Sequence, residues 1–473
     1  MKRKDKIRIL EKIEVENYAG EGKSIARVDG KVVFIERVVP GDIVDVRLTK
    51  SKKDWAEGYP VHFHSYAKER VTPCCKHFGV CGGCQWQMLP YSQQLIFKQK
   101  QVEETLKRIG KILLPEILPI AGAETTEFYR NKLEYTFSSK EYFELPPDDN
   151  TIENMGAAGF HAKGWFDKVV EIEKCWLQAE PTNAIRNTIA SFARQEGFSF
   201  YDYKSHTGFL RNTLVRICTT GEVMVNIVLG EDDMEKCNKL LKHLLETVPG
   251  ITTLLYTINK KFNDSIHDLK PIVYSGKGFV IEKMKDRVRG NEFIFKIGPQ
   301  SFFQTNTKQA EKLYNITMEF AELTGNEIVY DLYCGTGSIG IFISKGARKI
   351  IGVEQLPIAI NDAKENAILN KISHAEFFDG DVIDICKEDF FNQHGMPDVI
   401  ITDPPRAGMH EKLVQKILEI AAPIVVYVSC NPATQARDIN LLDEKYYVSK
   451  IQPVDMFPHT QHIENVVQLK LKK

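Results

Sequence analysis

The chain has 473 residues, room for roughly two to four domains and a large apolar core. Hydrophobic residues make up 43% and charged residues 26%, the balance of a water-soluble globular protein, and no apolar run approaches the roughly 18 residues that a membrane-spanning helix requires. A formal net charge of −1 excludes a polybasic coat, and ten cysteines behind a Lys-rich start with no apolar leader point to a reducing cytoplasm, where thiols serve metals or catalysis more than disulfides.

In chain order, residues 7–13, 24–28, 31–39 and 43–48 read as short strands separated by Gly20, Asp29-Gly30 and Pro40-Gly41. Strands of this spacing, with a hairpin signal at Asp29-Gly30, predict a small β-barrel over residues 1–65. Lys2, Arg3, Lys4, Lys6 and Arg8 precede it, and Arg47, Lys50, Lys52 and Lys53 come late in the same stretch. Such clusters suit RNA contact, and equally a solvated charged surface.

Next come Cys74, Cys75, Cys81 and Cys84; from Cys75 the spacing is C-x5-C-x2-C, and a further thiol, Cys175, lies far off in Glu-Ile-Glu-Lys-Cys-Trp. Gly82 and Gly83 let the backbone turn tightly around a ligand. Four thiolates suit tetrahedral zinc or an iron–sulfur cluster. The five-residue gap is wider than usual zinc-finger spacing and leans towards a cluster, but the residue types alone do not choose the metal.

Residues 90–109 read as a helix, with Pro90 in its first turn, an apolar stripe of Leu95, Val102, Leu106 and Ile109, and Gly110 at its end. Strands at 131–138, 214–219 and 223–229, mixed with helices at 183–196 and 232–247, predict an α+β central domain within residues 66–296. Tyr129-Arg130-Asn131-Lys132 reads as the start of a surface strand whose basic residues can reach phosphate, and residues 144–150 as an exposed acidic loop.

Residues 297–473 change character. Short apolar runs at 327–332, 349–354, 375–378, 398–402 and 423–429 alternate with helical segments such as 357–370 and 410–420, which predicts an α/β domain with a parallel sheet. Asp331-Leu-Tyr-Cys-Gly-Thr-Gly-Ser-Ile-Gly340 closes the first strand with a glycine turn. Gly335, Gly337 and Gly340 satisfy G-x-G-x-x-G, so a nicotinamide site stays open. Asp331 tips the balance towards a cationic cofactor, S-adenosylmethionine, because a carboxylate there repels a pyrophosphate. Glu354, Asp381 and Asp403 follow the next strands, where carboxylates suit ribose, the adenine amino group and the methyl-donor end. The last of these runs ends at Ser429, and Cys430-Asn431-Pro432 turns sharply into the crevice where such sheets bind ligands. A thiol there suits a nucleophile, although position alone also fits a structural cysteine. Glu464 lies among β-branched residues, where ionising it needs a reason.

Phe302-Phe-Gln-Thr-Asn306, Asp331-Leu-Tyr-Cys-Gly-Thr-Gly337, Asp403-Pro-Pro-Arg-Ala-Gly408, Ser429-Cys-Asn-Pro432 and His459-Thr-Gln-His-Ile-Glu464 together resemble the RNA uracil-5-methyltransferase family. The resemblance spans nearly the whole chain. It implies a TRAM barrel (OB-like) at the start, a [4Fe-4S] cluster on Cys75, Cys81, Cys84 and Cys175, and a C-terminal Rossmann-like methyltransferase domain. It also implies cofactor contacts from Gln304, Tyr333, Glu354 and Asp403, with Asp381 and Ser338 as further candidates; Ser338 stands where related enzymes often carry Asn, and Cys74 has no counterpart. The rRNA branch carries barrel and cluster whereas the tRNA branch generally lacks them, so the implied partner is 23S rRNA, with a flipped uridine in a loop, and a monomeric enzyme.

The chemistry explains the residue types. Uracil C5 is too weakly nucleophilic to accept a methyl group unaided; attack of Cys430 on C6 makes C5 electron-rich, and Glu464 then removes the C5 proton. Two other classes compete. An amino-group methyltransferase fits the Asp-Pro-Pro of residues 403–405 but needs neither Cys430 nor Glu464, and a non-catalytic RNA-binding module would dispense with both.

Overall fold

The computed structural model describes residues 8–144 and 156–473, and every element named here belongs to those residues. Of the predicted acidic loop only exposed Glu144 is among them, and Lys2, Arg3, Lys4 and Lys6 lie outside.

The N-terminal strands are β1 (Ile9–Glu14), β2 (Asn17–Tyr18), β3 (Ser24–Val28), β4 (Lys31–Ile35), β5 (Ile43–Ser51) and β6 (Trp55–Ser65). They form one sheet in the order β1-β5-β6-β4-β3-β2. Its two ends are consecutive pieces of one stretch, because β1 pairs with β5 and β2 with β3, so the sheet closes into a barrel. Val15, Ala26, Val33, Ile35, Val44, Val46 and Ala56 fill it. The β3–β4 hairpin turns through Asp29 and Gly30, both at positive φ, as the strand twist demands. Buried Asp42 accepts from the Val39 and Ala67 amides and from Arg70 Nε at 2.9 Å, tying the barrel to the segment just beyond β6.

Helix α1 (Tyr91–Thr105) runs into a last wide turn over Leu106–Gly110. Its buried positions are Gln94, Lys98, Val102 and Leu106, so the hidden face is half polar rather than the expected apolar stripe. The central sheet contains β7 (Lys132–Ser138), β8 (Ala157–His161), β9 (Val169–Glu171), β10 (Leu210–Ile217), β11 (Val223–Leu229), β12 (Thr253–Ile258) and β13 (Ile272–Ser275). Helices α2 (Thr182–Gln195) and α3 (Met234–Thr247) pack together and bury Ile185, Ile189, Leu240 and Leu244 in its core. Tyr129 and Asn131 are buried where β7 begins, which corrects the surface reading of that segment; a hydroxyl and an amide are hidden there because each has a partner in the last third of the chain.

A hairpin of β14 (Val280–Lys285) and β15 (Glu292–Ile297) leads to α4 (Thr307–Ala321). The last unit alternates β16 (Ile328–Leu332), α5 (Ser338–Ile343), β17 (Lys349–Glu354), α6 (Pro357–Leu369), β18 (Ala375–Asp379), α7 (Val382–Ile385), α8 (Glu388–His394), β19 (Val399–Thr402), α9 (Glu411–Ile420), β20 (Ile424–Ser429) and α10 (Pro432–Leu442). It finishes with β21 (Tyr446–Val454) and β22 (Glu464–Leu471). The sheet order is β18-β17-β16-β19-β20-β22-β21, parallel through β20 and antiparallel beyond it. The order reverses beside β16, which opens a crevice at the carboxyl ends of β16 and β19.

Packing does not follow three consecutive blocks of chain. Phe293, Phe295 and Met284 of the hairpin share a core with Ile341 and Ile360, and Val102 and Leu106 of α1 share one with Leu413, Ile439 and Val467. Hairpin and α1 therefore belong physically to the C-terminal unit.

Candidate active site

The glycine turn after β16 sets the first half of the site. Tyr333, Gly335 and Gly337 all have positive φ, and a Cβ on Gly337 would meet Ala363 and Phe377 at 3.0 Å. Asp331 is fully buried beneath the turn, and its Oδ2 accepts from the Gly340 amide at 2.9 Å. Burial pushes its carboxyl up to about 7, opposed by that hydrogen bond. Asp331 thus fixes the turn to α5. Glu354 ends β17 and accepts from the Gly335 amide at 3.3 Å and the Leu356 amide at 3.1 Å, so its carboxylate faces the turn. Asp381 accepts from the Ile383 amide and from Gln355 Nε2, both at 2.8 Å. Ser338 Oγ lies 2.8 Å from the Tyr314 hydroxyl, and burial raises the half-buried Tyr333 phenol to about 12. Gln304 is buried in the segment between β15 and α4.

The second half is built where β20 meets β22. Ser429 pairs with Asn465 at the end of an antiparallel ladder, which brings Cys430, the next residue, within electrostatic reach of Glu464. Asn431 caps α10 and Pro432 occupies its first turn, which ends the strand at the thiol. Asn431 Nδ2 donates to the Arg406 carbonyl at 3.0 Å and Thr434 Oγ1 to the same oxygen at 3.3 Å, binding the loop after β19 to the turn that bears Cys430.

Electrostatics tie these groups into one pocket. Burial and then the charges of Glu464 and Asp403 push the Cys430 thiol up to about 11, while Arg406 opposes them. Burial and then Asp403 hold the Glu464 carboxyl well above its ordinary range, and burial lifts Asp403 to about 7. The Asp403 charge disfavours ionising Glu464 as well, so the pair favours keeping one proton. Burial and then Arg406 lower His462 to about 4; its neutral ring accepts from Arg406 Nη2 at 3.3 Å. The arrangement offers a thiol, a proton-holding carboxyl pair and a cation at the mouth of the crevice. Arg406 and His462 belong to the quoted Asp403-Pro-Pro-Arg and His459-Thr-Gln-His-Ile-Glu464 segments yet carried no role in the sequence, and nothing local marked Tyr314.

Far from this crevice in sequence, Cys75, Cys81, Cys84 and Cys175 line one cavity of about 140 Å³ together with His77, Phe78 and Arg130. Burial raises all four thiols, Cys81 and Cys84 to about 12, and each of these two also feels Cys75 and Cys175. A Cβ on Gly82 would meet the His161 carbonyl at 3.2 Å, which explains the glycine beside Cys81. The exposed Cys74 turns to Gln87 Oε1 at 3.6 Å instead. Among the described residues no three His, Cys, Asp or Glu side chains gather closely enough to hold one metal ion. A low-polarity cavity ringed by four thiols does fit a larger thiolate-held group.

Comparison with known proteins bears on both halves of the chain. Residues 270–472 match the family model described as tRNA (Uracil-5-)-methyltransferase, and residues 11–61 match the TRAM domain. A Bacteroides thetaiotaomicron protein described as an uncharacterized RNA methyltransferase is 52% identical over 459 residues, covering 96% of this chain and 100% of its own. A Porphyromonas gingivalis protein of the same description is 46% identical over 467 residues, covering 97% and 99%. The structure of Pyrococcus abyssi tRNA (uracil-54, C5)-methyltransferase in complex with S-adenosyl-L-homocysteine superposes with a TM-score of 0.72 at 27% identity, covering 97% of this chain and 99% of its own.

Proposed function

The chain belongs to the RNA uracil-5-methyltransferase family, an S-adenosylmethionine-dependent one, and from that premise we propose that it methylates C5 of a uridine in RNA through a covalent adduct on Cys430. The observation that carries the reading is the register of β20 on β22, which sets a thiol beside a proton-holding carboxyl at the crevice. Cys430 gives up its proton to solvent at the mouth of the crevice and its sulfur attacks C6, moving the electron pair of the C5–C6 bond towards C5 and O4. When bound, S-adenosylmethionine supplies an electrophilic methyl group. Glu464 takes the C5 proton; the C5–C6 double bond re-forms and the thiolate leaves. Gln304, Tyr333, Ser338, Glu354 and Asp403 line the cofactor side, and Asp381, oriented by its two hydrogen bonds, keeps lone pairs for an adenine amino group.

For the thiol cavity the reading is a [4Fe-4S] cluster on Cys75, Cys81, Cys84 and Cys175. The reading rests on the resemblance and on the four thiols lining one cavity of about 140 Å³. Such a cluster would tie Cys175, in the segment between β9 and α2, to the loop ending at Cys84; the next amides, Gln85 and Trp86, donate to the His459 carbonyl at 2.8 and 3.0 Å. Anaerobically purified protein should contain iron and labile sulfide; stoichiometric zinc without sulfide would overturn the assignment.

The RNA we favour is 23S rRNA, through the resemblance to the branch with barrel and cluster, and exposed Lys50 beside Trp55 gives the barrel a stacking and phosphate contact. The archaeal enzyme named for uracil-54 of tRNA aligns over 97% of this chain, and tRNA is therefore the second reading. Nucleoside mass spectrometry of both RNAs from a strain lacking the gene decides. Loss of 5-methyluridine from 23S rRNA is the expected result, loss from tRNA alone establishes the second reading, and loss from neither overturns both.

A further inference from the structure

Gln304 lies in residues 298–306, a stretch without strand or helix, so no ladder orients its backbone. The orientation comes from the central sheet. Asn131, at the start of β7, donates its amide N–H to the Thr305 carbonyl at 2.7 Å and its Nδ2 to the Gln304 carbonyl and to Thr307 Oγ1, both at 2.9 Å. Its Oδ1 accepts from Arg216 Nη1 at 3.4 Å, while Arg216 Nη2 donates to the Ser301 carbonyl at 3.4 Å. A carbonyl only accepts and a guanidinium only donates, so the amide can point one way. Thr307 Oγ1 in turn donates to Glu282 Oε2 at 2.8 Å. Asn131 is 5% exposed and Arg216 1%, so water cannot replace these bonds if they are lost.

We infer that Asn131 is a positioning residue for the methyl donor, acting from the central domain through the backbone of Gln304. The inference rests on the proposed role of Gln304 as a cofactor contact. A packing residue would have no cause to place both side-chain donors on another unit, one on the Gln304 carbonyl and one on Thr307 at the start of α4. Asn131 does so, and with its main-chain N–H it grips three points on the path into α4. Ser301, Phe302 and Asn306 are held by other partners, but the Gln304 carbonyl is held by Asn131, and its rotation also rotates the Gln304 side chain away from the crevice.

The test is the affinity of the full-length protein for S-adenosylhomocysteine, by calorimetry, in Asn131→Asp, Asn131→Ala and Gln304→Ala. Asn131→Asp keeps shape and the Arg216 contact but turns a carboxylate oxygen on the Gln304 carbonyl. The expected result is a Kd raised about tenfold, the scale of one lost buried hydrogen bond, with KM for the methyl donor rising likewise and kcat at saturating donor retained. A role in packing alone would lower the unfolding midpoint and leave that KM-against-kcat split absent. Wild-type affinity in both Asn131 variants, with Gln304→Ala weakened, overturns the inference and spares the site; wild-type affinity in Gln304→Ala overturns the site reading and the inference with it. If neither Asn131 variant folds, amide exchange of the wild-type protein decides. S-adenosylhomocysteine should slow exchange in the peptide containing Asn131, and protection of residues 331–340 without it would refute the coupling.

Discussion

Replacing Glu464 with glutamine preserves the shape of a side chain that is 5% exposed and removes its capacity to act as a base. Attack by the thiol should survive. Cys430 stands at about 11, above its ordinary range, through burial first and Glu464 next, so little of it is thiolate at neutral pH. Glutamine removes one source of that handicap, so attack and methyl transfer are not slowed on this account. Elimination is, because losing a positioned general base costs about 10²–10⁴-fold in a proton transfer. A step slowed that far becomes limiting, and methylated RNA accumulates on the enzyme. With tritiated methyl donor and denaturing electrophoresis, label should appear in a protein–RNA band stoichiometric with Glu464→Gln and scarcely at all with wild type. A folded variant that turns over repeatedly without that band refutes the assignment, and so does one that binds both substrates yet transfers no methyl group.

The same substitution has a pH signature. A carboxyl raised in the fold gives stability that is present at low pH and is lost as pH climbs from its ordinary 4.5 through its raised value, so ligand-free Glu464→Gln should gain on wild type by up to about 1.4 kcal/mol per pH unit in that window; parallel denaturation profiles would contradict a buried Glu464 beside Asp403. Cys430→Ala should bind S-adenosylhomocysteine and RNA yet form no adduct and no product, and residual methylation by the folded variant would remove the thiol from the mechanism. Lys98→Met leaves the Asp455 carboxylate buried without the ammonium 2.6 Å away; chemical denaturation should register a loss of about 3–5 kcal/mol. Much of that loss should return in Lys98→Met with Asp455→Leu, and strictly additive effects would show the pair to be uncoupled.

The parallel sheet was legible because strands buried on both faces are continuous β-branched runs, and residues 349–354 match β17 to the residue. Strand β6 was not, since Gly58 and Pro60 interrupt it. In the barrel that glycine is required, as a Cβ there would meet the Arg47 carbonyl at 2.6 Å. Gln94 and Lys98 stand outside the apolar stripe read for α1; they are buried because His459 and Asp455 satisfy them, partners 365 and 357 residues away that no local pattern announces. Residues at strand ends stood out against the apolar runs they terminate, which made Cys430, Glu354 and Asp403 visible. The Arg406–His462 contact exists only once two loops meet, and Asn131 looks like any polar strand residue until the fold brings Gln304 to it.

The 357 residues between Lys98 and Asp455 also set a clock. A ribosome adding about 5–20 residues per second leaves about 20–70 s between synthesis of the two partners. A helix of 15 residues is marginal in water, so throughout that interval α1 lacks the surface that makes it a helix. The barrel finds all its partners within its own strands and can finish early. The unit that carries Cys430 waits for a piece of chain made long before it, and it seals only when the last strands leave the exit tunnel.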